Sequence, residues 1–443
     1  MTPPPHRPPV PRLHVIGAGM AGLACAVEAV RRGLAVTVHE AAPAAGGRCR
    51  SFDDPLLDRR LDNGSHLMLA ANTATRALLD LTGGWAAVTE VTPACFTFHD
   101  LRHDHGWTLR PGAGPVPWWL ARADRRVPGI GALAHLRDLL RLALAGRGAT
   151  VADALAGPLL TPLWQPVAEA VLNTASAEAS ARALWTVARD TLGRGEAACR
   201  PWLFPHGLDA ALVAPCVDWL RRHGAEVRLT APVRQVLVTE GRASGLLDRS
   251  GHTEALAPGD MVVVAAPPAA VRRLLPGLTV PDLPSRTIVN AHFRLPVPLT
   301  LPTPGFVGLI GGTAHWLFSR DDVLSVTVSA ADTLAEHDDA TIASILWADA
   351  RRLPALRPLA GNLPPPSRVV RERRATLAHT PDAEALRPGP VTPLRGVLLA
   401  GDWTATGYPC TVEGAVRSGV RAAALAASTA HGGSEAAPKF SPH

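Results

Sequence analysis

Apolar positions change period several times along the 443-residue chain, and the changes mark out its elements. Leu13 to Ile16 is a short apolar run of the kind that makes a strand covered on both faces. From Met20 the apolar residues recur at helical spacing until Gly33 stops them, and Leu34 to His39 is apolar again, which predicts a strand, a helix and a second strand. Leu61 to Leu69 reads as a turn with an apolar strand or helix behind it, and the stretch from about Arg76 to Arg200 reads as mostly helical. Leu208 to Arg222 predicts an amphipathic helix ending near Gly224, and AEVRLTAPVRQVLV after it predicts a strand. Asp260 to Pro268 predicts a buried strand stopped by a double proline that opens a helix. Between about Val280 and Pro390, β-like stretches such as Ser325 to Val328 alternate with a helix near Asp338 to Arg352. A strand from Gly396 to Ala400, a loop, and a helix from Thr411 to Leu425 close the pattern, and the polar residues from His431 on predict a disordered tail.

The first helix opens on Gly17-Ala18-Gly19-Met20-Ala21-Gly22, a G-x-G-x-x-G turn between strand and helix. Gly17 permits the tight turn, Gly19 lets backbone N–H groups approach a pyrophosphate, and Gly22 lets the helix pack closely on the strand. The phosphates then meet the positive end of the helix. Glu40 follows the second strand, about twenty residues after the glycines, where a carboxylate accepts from ribose hydroxyls and disfavours a 2′-phosphate. Gly46, Gly47 and Arg48 resemble the second glycine pair of FAD oxidoreductases, with an arginine able to reach phosphate, and the strand near Val233 resembles one that gives such proteins a backbone contact to adenine. Near the other end, Gly401-Asp402 follows a strand and a helix opens after it, with Thr411, Val412 and Ala415 in its first turns. An aspartate there suits ribityl hydroxyls, and the helix N-terminus suits the pyrimidine end of a reduced isoalloxazine. Together the two ends predict FAD.

The expected fold class is therefore α/β: a Rossmann-type FAD-binding domain interleaved with a mixed α+β substrate domain. Residues 10–75, 204–280 and 390–428 are assigned to the first and 76–203 and 281–389 to the second, with 1–9 and 429–443 as disordered tails. The length exceeds what one core usually serves, and 47% apolar residues suffice to fill two.

Charge narrows the partners. The net charge is +6, and among lysines and arginines all but Lys439 are arginine, so chemistry that needs an active-site lysine is disfavoured. The positive charges are dispersed and not interleaved with aromatics, which argues against nucleic acid. Cys25, Cys49, Cys95, Cys199, Cys216 and Cys410 are scattered without a C-x-x-C, so neither a zinc site nor a disulfide framework is expected. No run approaches the roughly 20 apolar residues of a membrane span, and the proline-rich start has no apolar signal core, so a cytoplasmic protein is expected.

VIGAGMAGL, EAAPAAGGRC, DNGSH, the strand at Asp260 to Pro268 and GDWTATGYPCTVEGAVRSG together resemble the flavin-containing amine oxidase and carotenoid desaturase superfamily. RCRSFDDP with RRLDNGSHLML, PVPWWL, LWQPVAEAVLNT and EASARAL resemble its squalene-associated FAD-dependent group, the hydroxysqualene dehydroxylases, over nearly the whole chain. The resemblance implies replacement of the hydroxyl of hydroxysqualene by hydride from reduced FAD, in squalene and hopanoid biosynthesis. An allylic C–O bond ionises if the departing oxygen is protonated, so the protein must supply an acid and a dry pocket. His66 is the first candidate acid because it follows the DNG turn expected beside the flavin; Gly64, Ser65 and His66 are also expected to touch the cofactor. Tyr408, the chain's single tyrosine, and Asn63 are further catalytic candidates, and Asn173 and Trp164 are substrate candidates. Asp402 and Glu413 are assigned to cofactor and helix positioning. No second G-x-G-x-x-G is present, so the electron donor is unknown. Pro115 to Arg147 combines Trp118 and Trp119, arginines and a leucine-rich helix, which suits an interfacial segment and a peripheral place on the inner face of the cell membrane. A polyisoprenoid desaturase is the main alternative. An amine oxidase, which commonly uses a lysine, and a lipid-binding flavoprotein without turnover are weaker ones.

Overall fold

The computed structural model describes residues 11–430 apart from 304, 360 and 362. Five parallel strands form the first sheet, in the order Glu226–Arg228, Ala35–His39, Arg12–Ile16, Met261–Val264, Val397–Leu399. Its central strands are apolar on both faces because both faces are covered. Leu13, Val15, Val36, Val38 and Val263 turn to one side, where the helices Met20–Arg31, Ala214–Arg222 and Val412–Ala430 pack. Ile16, Val262 and Val264 turn to the other, against Val236 and Leu246 of a small antiparallel sheet.

The second large sheet has seven strands, in the order Ser367–Leu377, Ser285–Arg294, Val323–Val328, Trp316–Arg320, Phe306–Ile310, Phe96–Asp100, His105–Leu109. All neighbours are antiparallel except Phe306–Ile310 and Phe96–Asp100, which run parallel and join segments about 200 residues apart. One face, with Val289, Ala291, Phe293, Leu324 and Val326, packs on the helix Asp339–Ala350. The opposite face contributes Phe98, Phe306 and Trp316 to a cluster with the helical segment that holds Trp119, Leu163, Trp164 and Leu184.

Three expectations are corrected. The stretch from Arg76 to Arg200 is not helical throughout: Phe96–Asp100 and His105–Leu109 pair as a hairpin, in which aromatic residues and threonines facing across the strands favour β structure. AEVRLTAPVRQVLV is two strands in two sheets, because Thr230 takes a left-handed conformation (φ 53°) and Pro232 follows it. The last helix runs to Ala430, beyond both Leu425 and the expected start of the tail at 429. Residues 1–9 and 431–443 of the expected tails lie outside the described residues.

Candidate active site

One cavity of about 1360 Å³ runs from Glu40 and Val233 past the glycine turn and the 401–415 segment to a chamber walled by Leu163, Trp164, Val167 and Trp316. A pocket for one small ligand occupies about 300–1,000 Å³. This one therefore has room for a dinucleotide and a further molecule.

The nucleotide end is built mainly from backbone. Gly17 has φ 104°, and a methyl group on it would sit 2.5 Å from the Ala265 carbonyl oxygen. At Gly22 a methyl group would meet the Gly17 carbonyl oxygen at 1.9 Å, so helix and strand approach as closely as glycine allows. Nothing lies within 4 Å of the corresponding position on Gly19, which borders the cavity and leaves room for a phosphate. Glu40 accepts from the Ala18 N–H at 2.7 Å and the Ala42 N–H at 2.8 Å, which fixes its carboxylate at the end of the strand. Gly17, Gly19, Met20, Ala21, Glu40, Gly47, Arg48, Gly64, Ser65, His66, Val233, Gly401, Asp402, Thr411, Val412 and Ala415 all reach the cavity wall. Ala18 and Gly22 do not; they stand behind it, where they shape the turn.

Toward the chamber the wall is held by ion pairs. Arg48 donates to Asp402 at 2.7 Å and to the Ala375 carbonyl, so it ties the glycine-rich loop to both the C-terminal segment and the seven-stranded sheet. Behind the 402–410 loop, buried Arg387 donates to the carbonyls of Asp402 and Thr404, each at 2.7 Å. Glu384 pairs with both Arg387 and His379, whose Nε2 accepts from the Cys410 N–H at 2.9 Å. Glu413, completely buried, accepts from the backbone N–H groups of Ala74 and Thr75 and from Arg417. It thereby caps the helix Thr73–Thr82 and anchors the last helix at its flavin-facing end.

The catalytic and substrate candidates come together around the chamber, in differing states. His66 Nδ1 lies 2.9 Å from the Gly64 carbonyl and must donate to it, while burial lowers the ring's pKa. The neutral ring then keeps Nε2 as an acceptor. The Tyr408 hydroxyl donates to Asp190 at 2.8 Å, Arg417 lies over its ring, and burial raises its pKa. Asn173 ends its helix in a left-handed conformation and joins Ala330, Arg286 and Thr376, so its amide is committed to structure. Asn63 donates to Glu372 at 3.3 Å, but its Oδ1 is buried without a partner. The indole N–H groups of Trp164 and Trp316 are buried and unpartnered as well. Sequence reasoning missed Glu372, Trp316 and the His379–Glu384–Arg387 group, since only strand register and tertiary packing bring them here.

This fold, with a dinucleotide turn opening into a mainly apolar chamber, defines a flavin-dependent oxidoreductase. Residues 142–427 match the family described as flavin containing amine oxidoreductase, and residues 15–82 match the NAD(P)-binding Rossmann-like domain. The hydroxysqualene dehydroxylase of Rhodopseudomonas palustris is 41% identical over 93% of this chain and 97% of that protein. That of Sinorhizobium fredii is 41% identical over 94% and 98%. Among solved structures, an oxidoreductase from Methanosarcina mazei has a TM-score of 0.70 at 14% identity, over 94% of this chain and 100% of the other. Cyclohexylamine oxidase from Brevibacterium oxydans has a TM-score of 0.67 at 18% identity, over 95% and 99%. Those two likenesses are of fold alone. The chain belongs to the hydroxysqualene dehydroxylase family of the flavin-containing amine oxidoreductases, and its cofactor is FAD.

Proposed function

We propose that this protein removes the hydroxyl group of hydroxysqualene and puts hydride in its place, forming squalene. The observation that carries this reading is the chamber: mainly apolar walls that suit a polyisoprenoid chain, lined among others by Asn63, Trp164 and Trp316, each of which has a buried polar atom without a partner. Reduced FAD, when bound, supplies the hydride. The chain's residues do the rest. The turn at Gly17–Gly22 and the carboxylate of Glu40 would hold the nucleotide, Gly47 and Arg48 its phosphates, and Asp402 with the N-terminus at Val412 the flavin end. The 63–66 turn, the 401–415 segment and Trp164 exclude water, so that a cation formed on the substrate is not captured by it. Asn63 is the proposed polar group at the reacting end and Trp164 a proposed wall along the chain, while His66, Tyr408 and Asn173, engaged with Gly64, Asp190 and Ala330, shape the cavity around them.

We further propose work at the inner face of the cell membrane. Among the described residues no helix is long and apolar enough to cross a bilayer. The helix Ala132–Ala143 buries Leu142 with His135 and Asp138 on its inner side, while Leu133, Leu136, Leu140 and the following Leu144 are exposed along one outer stripe. Trp118 is 79% exposed beside buried Trp119, and Arg122, Arg141 and Arg147 flank the patch. Apolar groups at acyl depth and arginines at headgroup depth suit an anionic bilayer.

The deciding experiment reduces the protein's flavin anaerobically and adds hydroxysqualene. Squalene formed in step with flavin reoxidation supports dehydroxylation; an untouched substrate with flavin bound sinks it. Flotation with phosphatidylglycerol vesicles tests the second proposal, with loss of binding expected for L133S/L140S while flavin content is unchanged.

A further inference from the structure

The reaction needs a proton at the departing oxygen, and the seven-stranded sheet shows where one is available. Residues opposite one another in an antiparallel pair share a face. Across this sheet Trp316 stands opposite Thr327, Thr327 opposite Asn290, and Ile288 opposite Glu372. All five line the cavity, so this face is its ceiling. Immediately after Glu372 the ladder slips: Ile288 pairs with Glu372 and Arg286 with Thr376, leaving Arg373, Arg374 and Ala375 bulged out against Thr287 alone. Bulges beside active sites re-aim side chains and free backbone groups. Here the bulged Ala375 carbonyl accepts from Arg48, which ties the bulge to the flavin side of the cavity.

Glu372 is also held from the floor. Asn63 Nδ2 donates to its Oε2 at 3.3 Å, the Asn63 carbonyl accepts from Asn290 Nδ2 at 3.4 Å, and Asn290 Oδ1 accepts from the Thr327 hydroxyl at 2.7 Å. Among the described residues, three carboxylic side chains reach the cavity wall: Glu40, Asp402 and Glu372. Glu40 is engaged by two backbone N–H groups at the nucleotide end, and Asp402 by the Arg48 guanidinium. Glu372 is held at Oε2 by a neutral amide and, unlike the other two, by no cation or backbone N–H among the described residues. The other candidates are spent, for His66 donates to Gly64 and Tyr408 donates to Asp190.

We propose, resting on the dehydroxylase reading above, that Glu372 is the acid that protonates the departing hydroxyl, with Asn63 holding both the carboxyl and the hydroxyl. The carboxyl proton passes to the substrate oxygen. The C–O bond breaks with its electron pair on oxygen, which leaves as water, and the resulting allylic cation is closed by the hydride, two electrons included, that reduced flavin supplies. Glu372 remains as a carboxylate facing the Asn63 amide donor, and the proton is regained from solvent before the next turnover.

The test uses the full-length, flavin-loaded protein and the variants E372Q and E372D. In single turnover with pre-reduced flavin, E372Q is expected to form squalene about a hundredfold more slowly, the lower range for loss of a general acid, and E372D to recover much of the rate. Squalene binding, followed by fluorescence of the chamber tryptophans, stays within about twofold of wild type, as uniform binding that does not involve proton transfer should. A readout independent of turnover is the infrared difference spectrum of the oxidised protein on adding hydroxysqualene: a protonated-carboxyl band in wild type, absent in E372Q. The proposal is overturned if E372Q forms squalene as fast as wild type or if the band persists in it. Should E372Q fail to fold, a protonated-carboxyl band in E372D unshifted from wild type overturns it equally. A wild type that makes no squalene instead removes the dehydroxylase reading itself.

Discussion

The two ends of the cavity are built by opposite means. At the nucleotide end, contacts come from backbone held by glycines close in sequence: Gly17, Gly19 and Gly22 lie within six residues, and Glu40 directly follows the next strand. In the chamber, contacts come from side chains on segments hundreds of residues apart, as with Asn63 and Glu372, 309 residues from each other. The first end tolerates almost no added volume and many changes of side-chain chemistry elsewhere; the second is the reverse. Mutations should therefore fail differently at the two ends.

The sharpest break is Gly22→Ala. Its methyl group would overlap the Gly17 carbonyl oxygen at 1.9 Å, and the overlap is with backbone, which cannot swing aside. Flavin should be absent from the purified variant, with about 3 kcal/mol or more of stability lost to overpacking. Flavin absorbance and a urea unfolding curve check both. A variant holding a full complement of flavin would show that close packing at this turn does not govern cofactor binding.

Glu413→Ala comes next, since it removes a carboxylate that the two ends share. Glu413 is fully buried against the N-terminus of Thr73–Thr82 and the Arg417 guanidinium, so truncation strands both. A loss of about 3 kcal/mol in urea unfolding is expected, together with weaker flavin retention, because the last helix loses its anchor.

How much of this was legible in the chain follows from the same contrast. The βαβ unit, the strand at Met261–Val264 and the C-terminal strand and helix could be read because each is a short local pattern, and the family resemblance rests on those segments. Phe96–Asp100 was hidden because its partner is Phe306–Ile310, and no local period announces a parallel neighbour so distant. Glu372 was invisible for a related reason: in RVVRERRATL it reads as one charge in a solvated run, and only register with Ile288 and the bulge after it turn it inward. His66 and Tyr408 could be placed at the cavity from sequence, but not their hydrogen-bond partners, and the partners decide what each can donate.

Acid reaches both ends. Burial holds His39 beside the nucleotide strand, and His292 within the seven-stranded sheet, at about 4 against the ordinary 6.5. The folded protein then binds fewer protons than the unfolded chain below pH 6.5. The stability these rings contribute is complete above that pH and falls as pH drops toward 4. A tenfold difference in proton affinity between the folded and unfolded chains is worth about 1.4 kcal/mol, so each ring should cost roughly 2 kcal/mol at pH 5. Urea unfolding at pH 7 and pH 5 measures the sum, and H39N and H292N should each flatten the dependence. If only H39N also slows flavin release in acid, the nucleotide end yields first.

The smallest effect is expected from Trp316→Phe, and it separates packing from recognition in the chamber. The indole ring packs at 5.5 Å from Phe98 and 6.2 Å from Phe306, contacts that a phenyl ring can largely keep. Its N–H is buried without a partner, so the folded protein already bears the cost of that group, and deleting it should shift stability by less than about 0.5 kcal/mol in either direction. If the N–H serves the substrate hydroxyl, the variant should bind hydroxysqualene about fivefold more weakly while its affinity for squalene, which has no hydroxyl, stays the same. Equal changes for the two ligands would mean that Trp316 contributes shape alone, and recognition of the hydroxyl would then fall to Asn63, Trp164 and Glu372.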